Sequence, residues 1–230
     1  MTVDRGRREA GRYAADMVQD GMVVGLGTGS TVLYALERLS ERIGGGLAVT
    51  GVPTSYQAAI RARELSIPLA GLDEYPVLDM AIDGADQADG SRRLIKGRGA
   101  ALVREKCVAA AARSLVIVVD TSKLVDRLSG VVPVEVVPFA VTPAARAIRD
   151  AGGDPVLREG VAKDGPVITD NGNFILDCRF GEIHDPEGLE ALLTAVPGVL
   201  ECGLFTRFTE KTTVVAGELK GCRVLVQEKR

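Results

Sequence analysis

Met22-Val23-Val24-Gly25-Leu26-Gly27-Thr28-Gly29-Ser30-Thr31, "MVVGLGTGST", is the stretch whose reading decides the fold. A short apolar run ends in three glycines spaced two apart, and from Thr31 to about Arg42 apolar residues return at helical intervals. This predicts a strand, a tight glycine-rich bend and a helix. Residues 5–20 before it have helical spacing and stop at the "DGM" turn. Downstream the alternation repeats: "LAVTGVPTS" then "YQAAIRARELS", "VLDMAID", "ALVREKCVAAAARS" and finally "LVIVVD", the most apolar strand of the set. Strands alternating with helices predict a parallel sheet covered on both faces, a Rossmann-like α/β domain.

After Gly130 the rhythm changes. "PVEVVPF" reads as a strand, "TPAARAIRDAG" as a helix capped by Thr142 with Pro143 in its first turn, and "DPVLREG" as a strand. "VITDNGNFILDCRF" places an apolar run on each side of a turn signal, "DPEGLEALLTAVPG" forms a second helix and "VLECGLF" a last strand. The order β-α-β-β-α-β is that of ferredoxin-like α+β domains. The expected division is therefore a main domain of residues 1–130 plus 207–230, completed by strands near "TTVVAGEL" and "CRVLVQE", with a smaller α+β domain of residues 131–206 inserted in it.

Composition narrows the function. The 230 residues carry 28 Lys plus Arg against 31 Asp plus Glu, a formal charge of -3, which offers no overall attraction to phosphate backbones or anionic membranes. Nucleic acid and membrane are not expected partners. Cys107, Cys178, Cys202 and Cys222 form no C-x-x-C pair, so they are read as free and mostly buried thiols rather than zinc ligands or a redox dithiol. The first twenty residues mix arginines with acids, unlike a secretory or transit peptide. The expected location is the cytoplasm. Met17, Met22 and Met80 read as core filler, the single His184 as a surface residue, and the terminal "QEKR" as a solvated end.

Ligands of open parallel sheets bind at the carboxyl ends of the strands, which directs attention to four loops. Gly25–Thr31 offers glycines and a helix N-terminus to an anion such as a phosphate. It is not a dinucleotide fingerprint, because Ser30 replaces the third glycine, nor a P-loop, because it lacks lysine. Taken alone it serves equally as a plain turn. "VLDMAIDGADQADG", Val77–Gly90, brings Asp79, Asp83, Asp86 and Asp89 together with no basic residue until Arg92. Their mutual repulsion asks for a compensating role. Lys96-Gly97-Arg98-Gly99 supplies a cation and more N–H groups, and Glu105 follows on a helix where it shares a face with Leu102 and Ala109. Burial there raises a carboxyl pKa. By itself, Arg104-Glu105-Lys106 reads as a solvated helix surface. The fourth loop carries Asp120 and Lys123.

"GLGTGST", "DGAD", "KGRGAALVREK", "DTSKLVD", "PVEVVPFA" and "TDNGNFILD", in this order between about Val23 and Phe205, closely resemble the type A ribose-5-phosphate isomerases. The resemblance implies that Thr28, Gly29, Ser30, Thr31, Asp83, Gly84, Ala85, Asp86, Lys96, Gly97, Arg98, Gly99 and Lys123 contact substrate and that Glu105 transfers the proton. It implies interconversion of D-ribose 5-phosphate and D-ribulose 5-phosphate in the non-oxidative pentose phosphate pathway, by a homodimer or dimer of dimers. The residue types suit an enediol reaction. One carboxylate, Glu105, moves a proton between adjacent carbons, Lys96 stabilises the developing oxyanion, Asp83 serves ring opening and Asp86 binds hydroxyls. No metal or cofactor is expected, since neither a ligand cluster nor a nucleotide fingerprint is present.

Two positions depart from the family pattern, Gln87 where glutamate is frequent and Arg98 where glycine is usual. Arg98 is expected to turn outward, leaving the loop backbone to bind; an inward guanidinium on the phosphate is the alternative. "REGVAKDGPVITD" reads as a longer surface loop. Rival functions are a sugar-phosphate-sensing module, disfavoured because the residues before the first strand are too few for a helix-turn-helix, and a coenzyme A transferase with a glutamate nucleophile, disfavoured by the Asp83, Asp86 and Lys96 set.

Overall fold

The computed structural model describes residues 2–226, so the terminal "QEKR" lies outside the described residues. Helix α1 (Thr2–Asp16) leads into β1 (Met22–Leu26), α2 (Ser30–Gly44), β2 (Val49–Pro53), α3 (Tyr56–Glu64) and β3 (Leu78–Asp83). Two short strands, β4 (Gln87–Asp89) and β5 (Leu94–Ile95), precede α4 (Leu102–Ala111), β6 (Ala112–Asp120) and β7 (Leu124–Val125). Next come β8 (Val132–Val136), α5 (Val141–Asp150), β9 (Asp154–Leu157), β10 (Phe174–Arg179), α6 (Pro186–Thr194) and β11 (Val199–Cys202). The chain closes with β12 (Leu204–Phe205), β13 (Thr212–Gly217) and β14 (Cys222–Leu225).

The main sheet runs β14-β13-β6-β3-β1-β2, parallel throughout except for the edge strand β14. Successive side chains of a strand face opposite ways, and β6 shows what that does here. Val116 and Val118 pack with Ala10, Ala14, Leu36 and Leu39 of α1 and α2, while Leu115, Ile117 and Val119 pack with Val108 and Ala109 of α4. A strand buried on both faces has to be continuously apolar, which is why "LVIVVD" stands out in the sequence. Truncating fully buried Ile117 to Ala is expected to cost about 2–5 kcal/mol.

The second sheet, β11-β8-β10-β9, is antiparallel throughout, and the helices α5 and α6 bury Ile148 and Leu193 in one cluster with Val134 and Leu176. The βαββαβ order of the sequence reading is thus present, with three local differences. Helix α5 begins at Val141, directly after a 3₁₀ turn over Pro138–Ala140, so Ala140 holds the cap position without a side-chain bond and Thr142 lies inside the helix. "VITD" contributes only a bridge, Ile168 to Phe174, rather than a full strand. "VLECGLF" divides at Gly203 into β11 and β12, and β12 joins a third sheet, β12-β5-β4-β7. Among the described residues no helix is long and apolar enough to cross a membrane. All four cysteines are free; Cys178 and Cys202 are buried, whereas Cys107 is exposed rather than packed inside. Burial pushes the Cys178 thiol up to about 12 and Cys202 to about 11, which keeps both protonated. Met80 is buried and Met17 and Met22 pack against the core; His184 is exposed, facing Arg127.

Candidate active site

The carboxyl ends of β1, β3 and β6 bring the glycine loops together, because neighbouring parallel strands end on the same side of the sheet. Gly27 lies so close to β3 that a Cβ there would come within 2.2 Å of Asp83 Oδ1. The absence of that atom lets Thr28 N–H donate to Asp83 Oδ1 at 3.2 Å. Thr28 Oγ1 is fixed by Thr54 Oγ1 at 3.0 Å and Ser55 Oγ at 2.7 Å. Helix α2 starts at Ser30 without a side-chain cap, so its first N–H groups remain free for an anion.

Lys96 leaves the end of β5, and its Nζ donates to the carbonyl of Gly84 at 2.7 Å. From there it stands 3.0 Å from Asp83 Oδ2 and 3.0 Å from Glu105 Oε2, an ammonium between two carboxylates. The three residues are only 3–4% exposed, so the charges interact in a medium far less screening than water. Asp83 is further held by the Gly84 N–H on Oδ1, at 2.8 Å. Glu105 Oε2 is shut off from solvent, with the Lys96 ammonium as its charged neighbour. Burial, with the nearby Asp83 charge, raises the Glu105 pKa to about 7 in spite of Lys96. Burial acts to lower the Lys96 pKa, but Asp83 and Glu105 outweigh it and raise the value, so Lys96 remains an ammonium.

These groups border a cavity of about 540 Å³. Its lining brings together Thr28, Gly29, Ser30, Thr31, Gly84, Ala85, Asp86, Lys96, Gly97, Arg98, Gly99, Glu105 and Lys123, nearly the whole set expected from the sequence. Asp83 differs: it is not among the lining residues, its Oδ1 is taken by two backbone N–H groups and its Oδ2 faces Lys96. Asp86 reaches the cavity itself, and its Oδ2 accepts the Arg98 N–H at 3.1 Å. Arg98 is exposed, and its side chain makes no hydrogen bond or ion pair among the described residues.

Arg7 and Gln57, which the sequence does not single out, also take part in the lining, beside Asp120. From α1, Arg7 Nε donates to Asp120 Oδ2 at 3.1 Å, and Nη1 lies 3.5 Å from Ser30 Oγ. One arginine among several on an exposed helix carries no local signal of this kind. Burial raises the Asp120 pKa less than hydrogen bonds from Ser122 and Arg7 lower it, so it remains ionised. Gln87 Oε1 accepts from Ser129 N–H at 2.8 Å and Gly130 N–H at 3.0 Å, fixing the chain where it departs toward β8. Nor is α4 a solvated surface at this point. Lys106 is buried, with Nζ bonded to Glu190 and Glu201 at 2.8 Å each and to two carbonyls of the Cys202–Leu204 segment.

The model of the family Ribose 5-phosphate isomerase A (phosphoriboisomerase A) matches residues 50–220. A ribose-5-phosphate isomerase A of Methanoregula boonei is 62% identical over 223 residues, covering 97% of this chain and 94% of that protein. One of Methanosarcina acetivorans is 53% identical over 205 residues, 89% of this chain and 88% of that one. Among solved structures, a D-ribose-5-phosphate isomerase in complex with phospho-erythronic acid superposes with a TM-score of 0.95 at 43% identity, covering 99% of this chain and all of that one. Ribose 5-phosphate isomerase A from Methanocaldococcus jannaschii gives 0.91 at 43% identity, over 96% and 98% of the two chains. With the glycine loops, the buried Lys96 and Glu105 pair and these likenesses along nearly its full length, the chain belongs to the ribose-5-phosphate isomerase A family.

Proposed function

We propose that Glu105, Lys96 and Asp86 carry out the interconversion of D-ribose 5-phosphate and D-ribulose 5-phosphate, with the phosphate seated on the N-terminus of α2. The observation that carries this reading is the buried Lys96 ammonium, 3.0 Å from Oε2 of Glu105, a residue that lines the cavity. A general base needs a free lone pair, and a pKa near the working pH serves both taking and returning a proton.

In the open-chain aldose, Glu105 takes the proton from C2. The C–H electron pair becomes the C1–C2 double bond, and the carbonyl pair moves onto O1, where Lys96 offsets the new charge. The proton on O2 then passes to O1 as the C2 carbonyl forms, and Glu105 returns its proton to C1. Asp86, rather than the enclosed Asp83, is the carboxylate placed to touch sugar hydroxyls and to serve ring opening; Asp83 fixes Lys96 and the Thr28 backbone. Ser30, Thr31, Lys123 and Arg7 converge on the phosphate end. A solved relative binds phospho-erythronic acid, a phosphate and a carboxylate joined by a hydroxylated chain, which suits a cavity with a helix N-terminus and Lys96 among its walls.

The same reading keeps residues 131–206 as an inserted domain and a homodimer or dimer of dimers as the working assembly, on the strength of the family resemblance. Incubating the purified protein with ribose 5-phosphate in D₂O tests the chemistry. Ribulose 5-phosphate should accumulate and C2 of the remaining aldose should acquire deuterium. Neither product nor label would refute it.

A further inference from the structure

Arg158 lies one residue beyond β9 of the antiparallel sheet and reaches the glycine loop that joins β5 to α4. Asp177 of β10 holds its guanidinium, accepting from Nε at 2.8 Å and from Nη2. So anchored, Nη1 donates to two carbonyls of the glycine loop, Gly97 O at 3.2 Å and Arg98 O at 3.0 Å. The Arg158 side chain is only 15% exposed, which limits competition from water.

The described residues contain no cis peptide, and in a trans peptide the C=O and the following N–H point in opposite directions. Drawing both carbonyls toward Arg158 therefore turns the N–H groups of Arg98 and Gly99 the other way. The Arg98 N–H ends on Asp86 Oδ2. The Gly99 N–H has no acceptor among the described residues, and Gly99 lines the cavity, adjoining Thr28. The next residue, Ala100, has φ 57, a left-handed conformation uncommon outside glycine that persists only where neighbours hold it. Its N–H closes onto Gly97 O, leaving Arg158 as the partner that fixes the Arg98 carbonyl.

We propose that Arg158 is a positioning residue that sets the peptide planes of residues 97–99 from outside the cavity, presenting the Gly99 N–H to substrate and holding Asp86 in place. The planar fork suits this task, since two edges grip Asp177 while a third N–H reaches the loop, which a lysine ammonium does less well. The inference rests on reading this cavity as the isomerase site.

The test is the kinetics of Arg158→Met, Arg158→Lys and the double variant Arg158→Met/Asp177→Leu, which leaves no unpaired carboxylate if the single variant does not fold. A loosened loop weakens ground and transition states alike, so KM for ribose 5-phosphate should rise about tenfold with kcat within about threefold, and Arg158→Lys should fall between. A drop in melting temperature with KM unchanged would make Arg158 a structural tie only and overturn the proposal. Glu105→Gln run in parallel separates the two levels: full turnover by that variant defeats the site reading, whereas an unchanged KM in the Arg158 variants defeats this inference alone.

Discussion

Glu105 Oε2 lies 3.0 Å from Lys96 Nζ and is shut off from solvent. The pair is close enough for Lys96 to restrain the carboxyl pKa, and it leaves Oε1 of Glu105 as the oxygen for a substrate proton. Burial still prevails and leaves the group near 7.

The pH profile follows from that value. A protonated Glu105 cannot accept the C2 proton, so kcat/KM should fall as pH drops through about 7 and level off above it. Glu105→Gln keeps the shape and removes the base. It should bind substrate yet turn over about 10²–10⁴-fold more slowly, without the acid limb. Wild-type rates of C2 proton exchange in this variant would assign the base elsewhere.

Lys96→Met removes the cation between Asp83 and Glu105 and leaves two buried carboxylates facing each other. Breaking a buried pair in this way typically costs about 3–5 kcal/mol. Without Lys96 the folded Glu105 pKa rises further above its unfolded value, so the stability tied to its protonated form is present below about pH 4.3 and is lost as pH rises. Urea midpoints of the variant should therefore trail wild type far more at about pH 8 than at about pH 5. An equal deficit at both would mean that charge is not the cause.

Arg98→Gly should leave KM and kcat within about twofold of wild type, since the exposed side chain makes no polar contact among the described residues while its backbone N–H holds Asp86. A tenfold rise in KM, about 1.4 kcal/mol, that shrinks on adding salt would instead make the guanidinium a phosphate ligand.

Exhaustive chelation should not change the rate. Asp83 already has Oδ1 on two N–H groups and Oδ2 on Lys96, so it has little left to offer a cation, and the described residues contain no group of three or more suitable ligands. Activity lost to a chelator and restored by one divalent ion would reverse this.

What the sequence disclosed, and what it did not, divides along physical lines. The parallel sheet was legible because strands buried on both faces must be apolar runs, and β6 is the plainest of them. The cavity was legible because an anion site needs glycines and a helix start in sequence, as in Gly25–Thr31. Strands of two or three residues such as β5 and β12 have no periodicity to detect, and they exist only because distant segments meet. Thr142 looked like a cap because nothing in the sequence marks the 3₁₀ turn before it. Arg7, Gln87 and Arg158 act across long sequence separations, on Asp120, Gly130 and Arg98, and a lone polar residue does not announce its partner.

The short strand β12 has a consequence for how the protein is made. By the time Lys123 has emerged from the ribosome, every residue of the cavity lining has been synthesised. Yet Lys96 N–H bonds to Gly203 O at 2.8 Å, and the strand that presents Lys96 pairs with Leu204 and Phe205. Lys96 thus waits for a segment about a hundred positions later in translation, and non-local closures of this kind are slow. A nascent chain stalled before Gly203 should carry the full set of site residues and still show no isomerase activity, gaining it only when the return strand is released.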